Sequence, residues 1–366
     1  MVSWQQVKYS FVATAASHTV EVQAVSTVMV NNSSILIYDL TPTLNAGTDP
    51  GVAVSTPQVP VSDGAVRSRS GRILRDTLSD GLVSEIWDYT FDAAGRLTQA
   101  VLDDGNPTTP AEHVLSYEFA STGSCGVSTR AGMNGNRTRF MDVKDGVLVA
   151  DVRYCYDGAD RLTSSIPLVP GGNPVLGTVL STAGTTPSLA YDGHGNTTRL
   201  ADQSMTYDVA DRHLSTTLTD GTVITYARDA TGRVISRTTD APGTAGDSTF
   251  RYTFGGGMTA VLDANNTLLQ RTVSLPGGVQ VALSAGSPAT QVWSYPNLHG
   301  DVILTADATG VRTGRFAYDP FGQPIDPVTG SIGTLTADDA VPNTLPGDAD
   351  HGFVGQHQKL YEHLSL

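Results

Sequence analysis

Histidines and carboxylates are the residues that could do chemistry in this 366-residue chain, which has eight histidines. His299 stands two residues before Asp301 in Asn297-Leu298-His299-Gly300-Asp301, pairing a base with a carboxylate that could orient it. A turn histidine hydrogen-bonded to backbone is the simpler expectation. His351, His357 and His363 lie close together near the C-terminus, but spacings of six and six do not put them on one helical face, so no metal is expected there. Gly255-Gly256-Gly257 follows Phe254 without the Lys-Ser or helix pattern of a phosphate loop, and is expected to be a bulge or tight turn. The chain contains no Gly-x-Ser-x-Gly, His-Glu-x-x-His or dinucleotide fingerprint. The expectation is therefore no catalytic residue, no cofactor, no metal and no enzyme activity in these residues.

Cys125 and Cys155 are the two cysteines, thirty residues apart and without Cys-x-x-Cys or histidine-rich spacing, so zinc is not indicated. A disulfide and two buried thiols both fit this spacing, and the disulfide would make sense in an oxidising compartment.

The elements around these residues must be short. Charged residues make up 16% of the chain and hydrophobic residues 39%, with 38 glycines and 19 prolines, a profile of strands joined by tight turns. The formal net charge is −14, and lysine occurs only at Lys8, Lys144 and Lys359. With no basic run to grip phosphates, nucleic acid is not expected as a partner. No run of eighteen apolar residues predicts a membrane span, and the stretch after Lys8 is too brief and polar for a secretory signal peptide. Residues 1–40 read as strands, with Val20, Val22 and Ala24 alternating with Glu21 and Gln23. Residues 41–64 are rich in Thr, Pro and Gly and read as a connection.

From residue 65 a phrase recurs. Tyr89-Thr-Phe-Asp92-Ala-Ala-Gly95-Arg96 returns as Tyr156-Asp157-Gly-Ala-Asp160-Arg161, Tyr191-Asp192-Gly-His-Gly195-Asn196 and Tyr207-Asp208-Val-Ala-Asp211-Arg212. It appears again as Tyr226-Ala-Arg-Asp229-Ala-Thr-Gly232-Arg233 and Tyr318-Asp319-Pro-Phe-Gly322-Gln323, with a fainter turn at Asp307-Ala-Thr-Gly310. In a β-hairpin the aspartate carboxylate accepts backbone amides two residues on and starts the turn. Glycine supplies the positive φ that ends it, so a type I turn followed by a left-handed residue is predicted. Where Asp160 and Asp211 replace that glycine, the left-handed position is expected to be merely tolerated. Each tyrosine is expected at the same point of its hairpin, a near cross-strand neighbour of that hairpin's own arginine. A lone hairpin is marginal in water, so the series must stack edge to edge into a long sheet with one common buried face.

Tyr-Asp-x-x-Gly-Arg in several copies resembles the YD repeats of bacterial Rhs proteins, of insecticidal toxin-complex C subunits and of animal teneurins. Leu115-Ser-Tyr-Glu-Phe, Ser124-Cys125-Gly126, Asn134-Gly135-Asn136-Arg137-Thr138 and Tyr154-Cys155-Tyr156-Asp157 look like a stretch common in Rhs sequences. There the two cysteines lie close together, which favours the disulfide. Asn297 to Val302, Tyr318 to Gly322 and Gly352-Phe353-Val354-Gly355-Gln356-His357 resemble the lead-in to the Rhs-associated core. The resemblance covers about residues 65–363.

It implies an all-β fold of YD-repeat hairpins in a spiralling, curved sheet, a partial hollow shell. The expected division is residues 1–64 as an N-terminal β segment and connection, 65–335 as shell wall, and 336–366 as a truncated lead-in to the core. The family's self-cleaving Arg and two Asp fall beyond Leu366, and Asp319 is upstream of them and not one of them. The implied function is to enclose or present a C-terminal toxin, or the remainder of a longer Rhs chain, secreted or at a cell surface as part of that parent. The alternative is an adhesin-like module that binds glycans through its rows of tyrosine. Free strand edges would promote self-association.

Overall fold

The computed structural model describes residues 62–79, 84–106, 108–122, 125–170, 179–243, 247–255, 258–285, 290–326, 329–332 and 352–353, together with the backbone of the strands Val7–Ala13, Ala16–Val22, Thr27–Val30 and Ser33–Ile37. The described residues are nearly all β, as expected. Ten strands, from Thr27–Val30 to Leu162–Pro167, form a first sheet, and thirteen, from Leu189–Tyr191 to Arg312–Arg315, form a second. Both are antiparallel meanders in which each strand pairs with its neighbours in sequence, and neither closes on itself.

The sheets are joined into one ribbon. Ser181 bridges Ser164, Ser165 N donates to Leu180 O and Leu189 N to Ser181 O, so residues 180–182 act as a connecting strand. At the other end Ser33–Ile37 pairs with Ser62–Arg67, so both strands belong to the first sheet.

Register assigns one common inner face along the ribbon. In the first sheet Trp87 lies opposite Leu102, Leu102 opposite His113, and Tyr117 opposite Phe140. In the second, Met205 lies opposite Thr216, Thr216 opposite Ile224, Tyr226 opposite Arg237, and Tyr252 opposite Val261. All of these are buried.

The ribbon also rolls back on itself. Gln291–Pro296 and Val302–Ala306 are buried at every position, so both of their faces are covered. Their outward face, with Val281, Trp293, Tyr295, Leu304 and Ala306, packs against Leu78 of Ile73–Ser79. Leu78 is on the inner face, since it pairs with Glu85 as Asp76 pairs with Trp87. The two regions are separated along the ribbon by about nineteen strand steps, roughly 90 Å at ~4.8 Å per step, a distance only a curved sheet can bring to contact. A short hairpin, Ala317–Tyr318 with Pro324–Ile325, then continues over the inner face of the first sheet.

Candidate functional site

The aspartate turn is the recurring unit, and Asp208 shows its construction. Asp208 N donates to Arg212 O at 2.9 Å and Asp211 N to Asp208 O at 3.0 Å, closing a type I turn with a left-handed fourth residue. Oδ1 of Asp208 accepts the amides of Ala210 and Arg212 at 2.8 and 3.0 Å, and Oδ2 accepts Arg212 Nε at 2.7 Å. The backbone amide of Arg212, followed by its side chain, holds the Asp208 carboxyl down at about 2.

Asp92 with Arg96, Asp157 with Arg161, and Asp229 with Arg233 repeat this geometry. Asp192 uses Asn196 in place of arginine, and Asp307 bonds the amides of Thr309 and Val311. Three turns that lack the tyrosine phrase are built alike: Ser68 to Arg72, Asp263 to Thr267 and Asn297 to Asp301.

The left-handed positions are Gly95, Gly195, Gly232 and Gly322, with φ from +84 to +97°, and Asp160 and Asp211, with φ of +61 and +59°. The two aspartates are not merely tolerated there. Asp160 accepts the side-chain amides of Asn134 and Asn136, and Asp211 accepts Asn196 Nδ2 and bonds His194 Nδ1, both at 2.8 Å. The side chain that strains the turn is thus the one that clamps it to preceding residues. Asp211 correspondingly raises the pKa of His194. Gly95 has a different constraint, because an added Cβ would lie 2.1 Å from the Arg72 guanidinium.

The tyrosines occupy two points, not one. Tyr156, Tyr191, Tyr207 and Tyr318 directly precede the aspartate, where the strand register shifts in the first three. Tyr89 and Tyr226 stand two residues earlier on the same face, leaving Phe91 and Arg228 beside the turn. The hydroxyls of Tyr191 and Tyr207 donate to Leu162 O and Thr197 O, at 2.9 and 2.8 Å. Each acceptor is the residue just past the preceding turn, so the bonds form rungs between hairpins. Tyr156 donates to Arg137 O at 2.6 Å, and burial pushes its hydroxyl up to about 12.

The arginines also reach forward rather than stacking within their own hairpin. Arg161 lies over Tyr191, Arg72 over Phe91, Arg96 over Phe119 and Arg233 over Phe254, at 4.6 to 5.6 Å. For Arg96, Arg161 and Arg233 an own-hairpin stack fails because the turn's aspartate already holds the guanidinium at the rim, where the next hairpin is nearer. Cys125 and Cys155 form a disulfide.

Of the histidines singled out in the sequence, His299 bonds Asp301 Oδ1 through Nδ1 at 3.0 Å rather than a backbone group, and its ring meets Phe353 at 5.2 Å. Asp301 raises its pKa. His351, His357 and His363 lie outside the described residues. Gly255 pairs with Met258, and Gly256 and Gly257 lie outside the described residues. Among the described residues no cluster of three or more His, Cys, Asp or Glu could hold a metal, and no helix is long and apolar enough to cross a membrane.

A second constellation, not legible in the sequence, lies where the last segment seats on the first sheet. Arg137 is enclosed by Tyr117, Phe140, Tyr154 and Phe321, with ring centroids 4.6 to 5.6 Å from its guanidinium. Phe321 comes from the Tyr318–Gly322 phrase. Asp319 here is buried and has Gln323 where the Asp92, Asp157, Asp208 and Asp229 copies have arginine; its Oδ1 accepts the amides of Phe321 and Gln323. Burial raises its pKa, against the pull of Arg137. Gly322 is needed because Phe353 lies 2.6 Å from where a Cβ would be. Arg315 pairs with Glu85, and Lys144 Nζ donates to Thr329 O at 2.7 Å. Beneath, buried His113 bonds both oxygens of Asp142 through Nδ1 at 2.9 and 3.0 Å.

The fold and turns together define an open, repeat-built antiparallel ribbon. No family model matches the chain. Over 191 residues it is 25% identical to the tRNA nuclease WapA of Bacillus subtilis (strain 168), a match that spans 50% of this chain and 8% of WapA. Among solved structures it is similar to a chain of the TcdB2–TccC3 crystal structure, with a TM-score of 0.48 at 13% identity over 96% of this chain and 20% of that one. It is also similar to a chain of the Photorhabdus luminescens Tc holotoxin pore carrying TccC3-D651A, with a TM-score of 0.48 at 14% identity over 97% and 19%. The chain therefore spans about a fifth of these structures and less than a tenth of the curated relative.

Proposed function

We propose that this chain is a wall segment of an Rhs-type YD shell that encloses or presents a polypeptide, such as a C-terminal toxin carried by a longer parent, and that it does no bond chemistry itself. The observation that supports this reading most is the repetition of one self-clamped turn along a single uninterrupted ribbon that rolls back on itself. Such a structure spends its side chains on holding neighbouring hairpins together. The hydroxyls of Tyr156, Tyr191 and Tyr207 are taken up by backbone carbonyls, which favours a packing role over glycan capture. A disulfide suits a parent that is secreted or displayed at a cell surface.

Cryo-electron microscopy of the chain within its full-length parent tests the proposal. The expected result is a curved wall with guest density on the inner side of the second sheet. A parent in which this region packs as a solid, guest-free body would overturn it.

A further inference from the structure

The outward face of the ribbon changes character along its length. In the second sheet it carries a ladder of hydroxyls, with Thr206 opposite Ser215, Ser215 opposite Thr225, Thr225 opposite Thr238 and Thr238 opposite Thr249. Such a surface suits water. Toward the end of the first sheet the same face is apolar. Val101 lies opposite Val114, Val114 opposite Val143 and Val143 opposite Leu148, with Val149 beside Leu148 at a bulge. Leu168, whose amide donates to Asp151 O, and Ile166, opposite Arg153, continue it across the next strand. Leu148, Val149, Ile166, Leu168 and Val179 are 39 to 48% exposed. We propose that two copies of this chain pack together through this face, outward side to outward side. The proposal concerns the outside of the ribbon and does not depend on what the inner side holds.

A contiguous exposed apolar face marks an interaction surface, and charge selects a second copy as its occupant. Arg153 is exposed and has Arg139, a like charge, directly opposite. Arg139 is already held by Asp151 and Glu118, and the Arg153 side chain makes no hydrogen bond or ion pair among the described residues. At the other end of the face Glu112 is exposed and equally unpaired, beside Asp145, whose amide donates to Glu112 O and whose carboxylate pairs with Lys144.

Arg153 is level with Arg139 and Glu112 with Asp145, so the free cation and the free anion stand about 20 Å apart along the strands at the rise of a β-strand. Leu148 and Leu168 flank the midpoint. A twofold axis lying across the strands at that midpoint reverses one copy on the other, matches the level of Leu148 to that of Leu168, and brings each Arg153 to the Glu112 end of the other copy. The face is thus self-complementary, as a twofold interface requires, with an apolar centre and charged ends. A basic partner would leave Arg153 unpaired, and an acidic one would be repelled at Glu112.

Sedimentation velocity of the intact chain from about 1 to 100 µM tests this. The expected result is a reversible monomer–dimer equilibrium with a Kd in that range. Leu148→Lys combined with Leu168→Lys should hold the chain monomeric at every concentration and leave its thermal melt unchanged, because both side chains are exposed in the single chain. Arg153→Glu and Glu112→Arg should each weaken the dimer by about tenfold, and the two reversals in one chain should restore it. Pairing through strand edges, or a general loss of folding, would not produce that recovery. A chain that stays monomeric at the highest concentration, a dimer untouched by the Leu148 and Leu168 changes, or a double reversal no tighter than either single one would each overturn the proposal.

Discussion

The two sheets share one ribbon and one turn, yet their inner faces differ. The first presents Trp87, Leu102, Leu115, Tyr117, Phe140, Val152 and Tyr154, packed with Ile325 and Ile332 from the end of the described chain. The second presents Gln203, Thr216, Arg237, Thr239, Gln270, Thr272 and Ser294 between its apolar residues, all buried. An apolar face is stabilised by covering it, and the first sheet is covered by the last described strands and hairpin. The second gains less from burial, and its buried polar atoms without partners include Thr239 Oγ1 and Gln280 Oε1, where the first has the Tyr117 hydroxyl. Its order must come more from turns and rungs. The first region resembles a conventional core, and the second a lining.

On that contrast, the largest loss of stability follows from emptying the contact where the ribbon rolls back on itself. Trp293, 1% exposed, sits on the doubly covered strand, and Trp293→Ala should cost about 3–5 kcal/mol in a denaturant titration. A cost under about 1 kcal/mol would mean that the rolled contact is dispensable. Next is the disulfide, which lies in the first sheet's territory and closes a separation of 30 residues. Cys125→Ser should cost about 3 kcal/mol in the chain-entropy model, and native-state hydrogen exchange should show the loosening around residues 125–156 and not in the second sheet.

A smaller effect of opposite sign probes the lining directly. Thr239→Val removes a buried hydroxyl with no partner and keeps the shape, so it should stabilise the isolated chain by about 1 kcal/mol. A neutral or destabilising result would show that the hydroxyl is hydrated or used, and the polar face would have to be described as open.

Much of this was legible in the residues. Asp-x-x-Gly-Arg states the turn, because its carboxylate, glycine and arginine each have a local role that needs no tertiary context. Requiring a tyrosine hid other copies: Ser68-x-x-Gly71, Asp263-x-x-Asn266 and Asn297-x-x-Gly300 build the same turn with Ser, Asn or a different preceding residue. What the phrase could not reveal was direction. Arg161 meets Tyr191 and not Tyr156, since stacking depends on which hairpin lies next to the rim, a relation between repeats. His113 with Asp142 and Arg137 with Phe321 were beyond reach for another reason: their partners come from distant strands, and no spacing encodes a contact made by rolling a sheet. The roles of Asp160 and Asp211 were not legible because their strained backbone is offset by bonds to residues outside the turn.

The smallest effect separates the regions by sign. Asp208, at a second-sheet turn, has its carboxyl held at about 2, below the ordinary value near ~3.9. A depressed folded-state value contributes stability that is present above the unfolded pKa and is lost as pH falls from about 4 through about 2. Asp319, in the seam, has its value raised by burial, so its charged form is disfavoured in the fold, and its contribution worsens as pH rises above the unfolded value. Asp208→Asn should therefore lower the melting temperature at neutral pH by about 2 °C and flatten the acid limb between about pH 4 and 2. Asp319→Asn keeps the acceptor for the Phe321 and Gln323 amides and should leave the neutral-pH melting temperature unchanged or raise it. Thermal melts by circular dichroism across this pH range would measure both. A loss at Asp319→Asn as large as that at Asp208→Asn would mean that the seam aspartate is held by Arg137 as firmly as a rim aspartate is by its own turn, and the division between a covered core and a clamped lining would have to be redrawn at that hairpin.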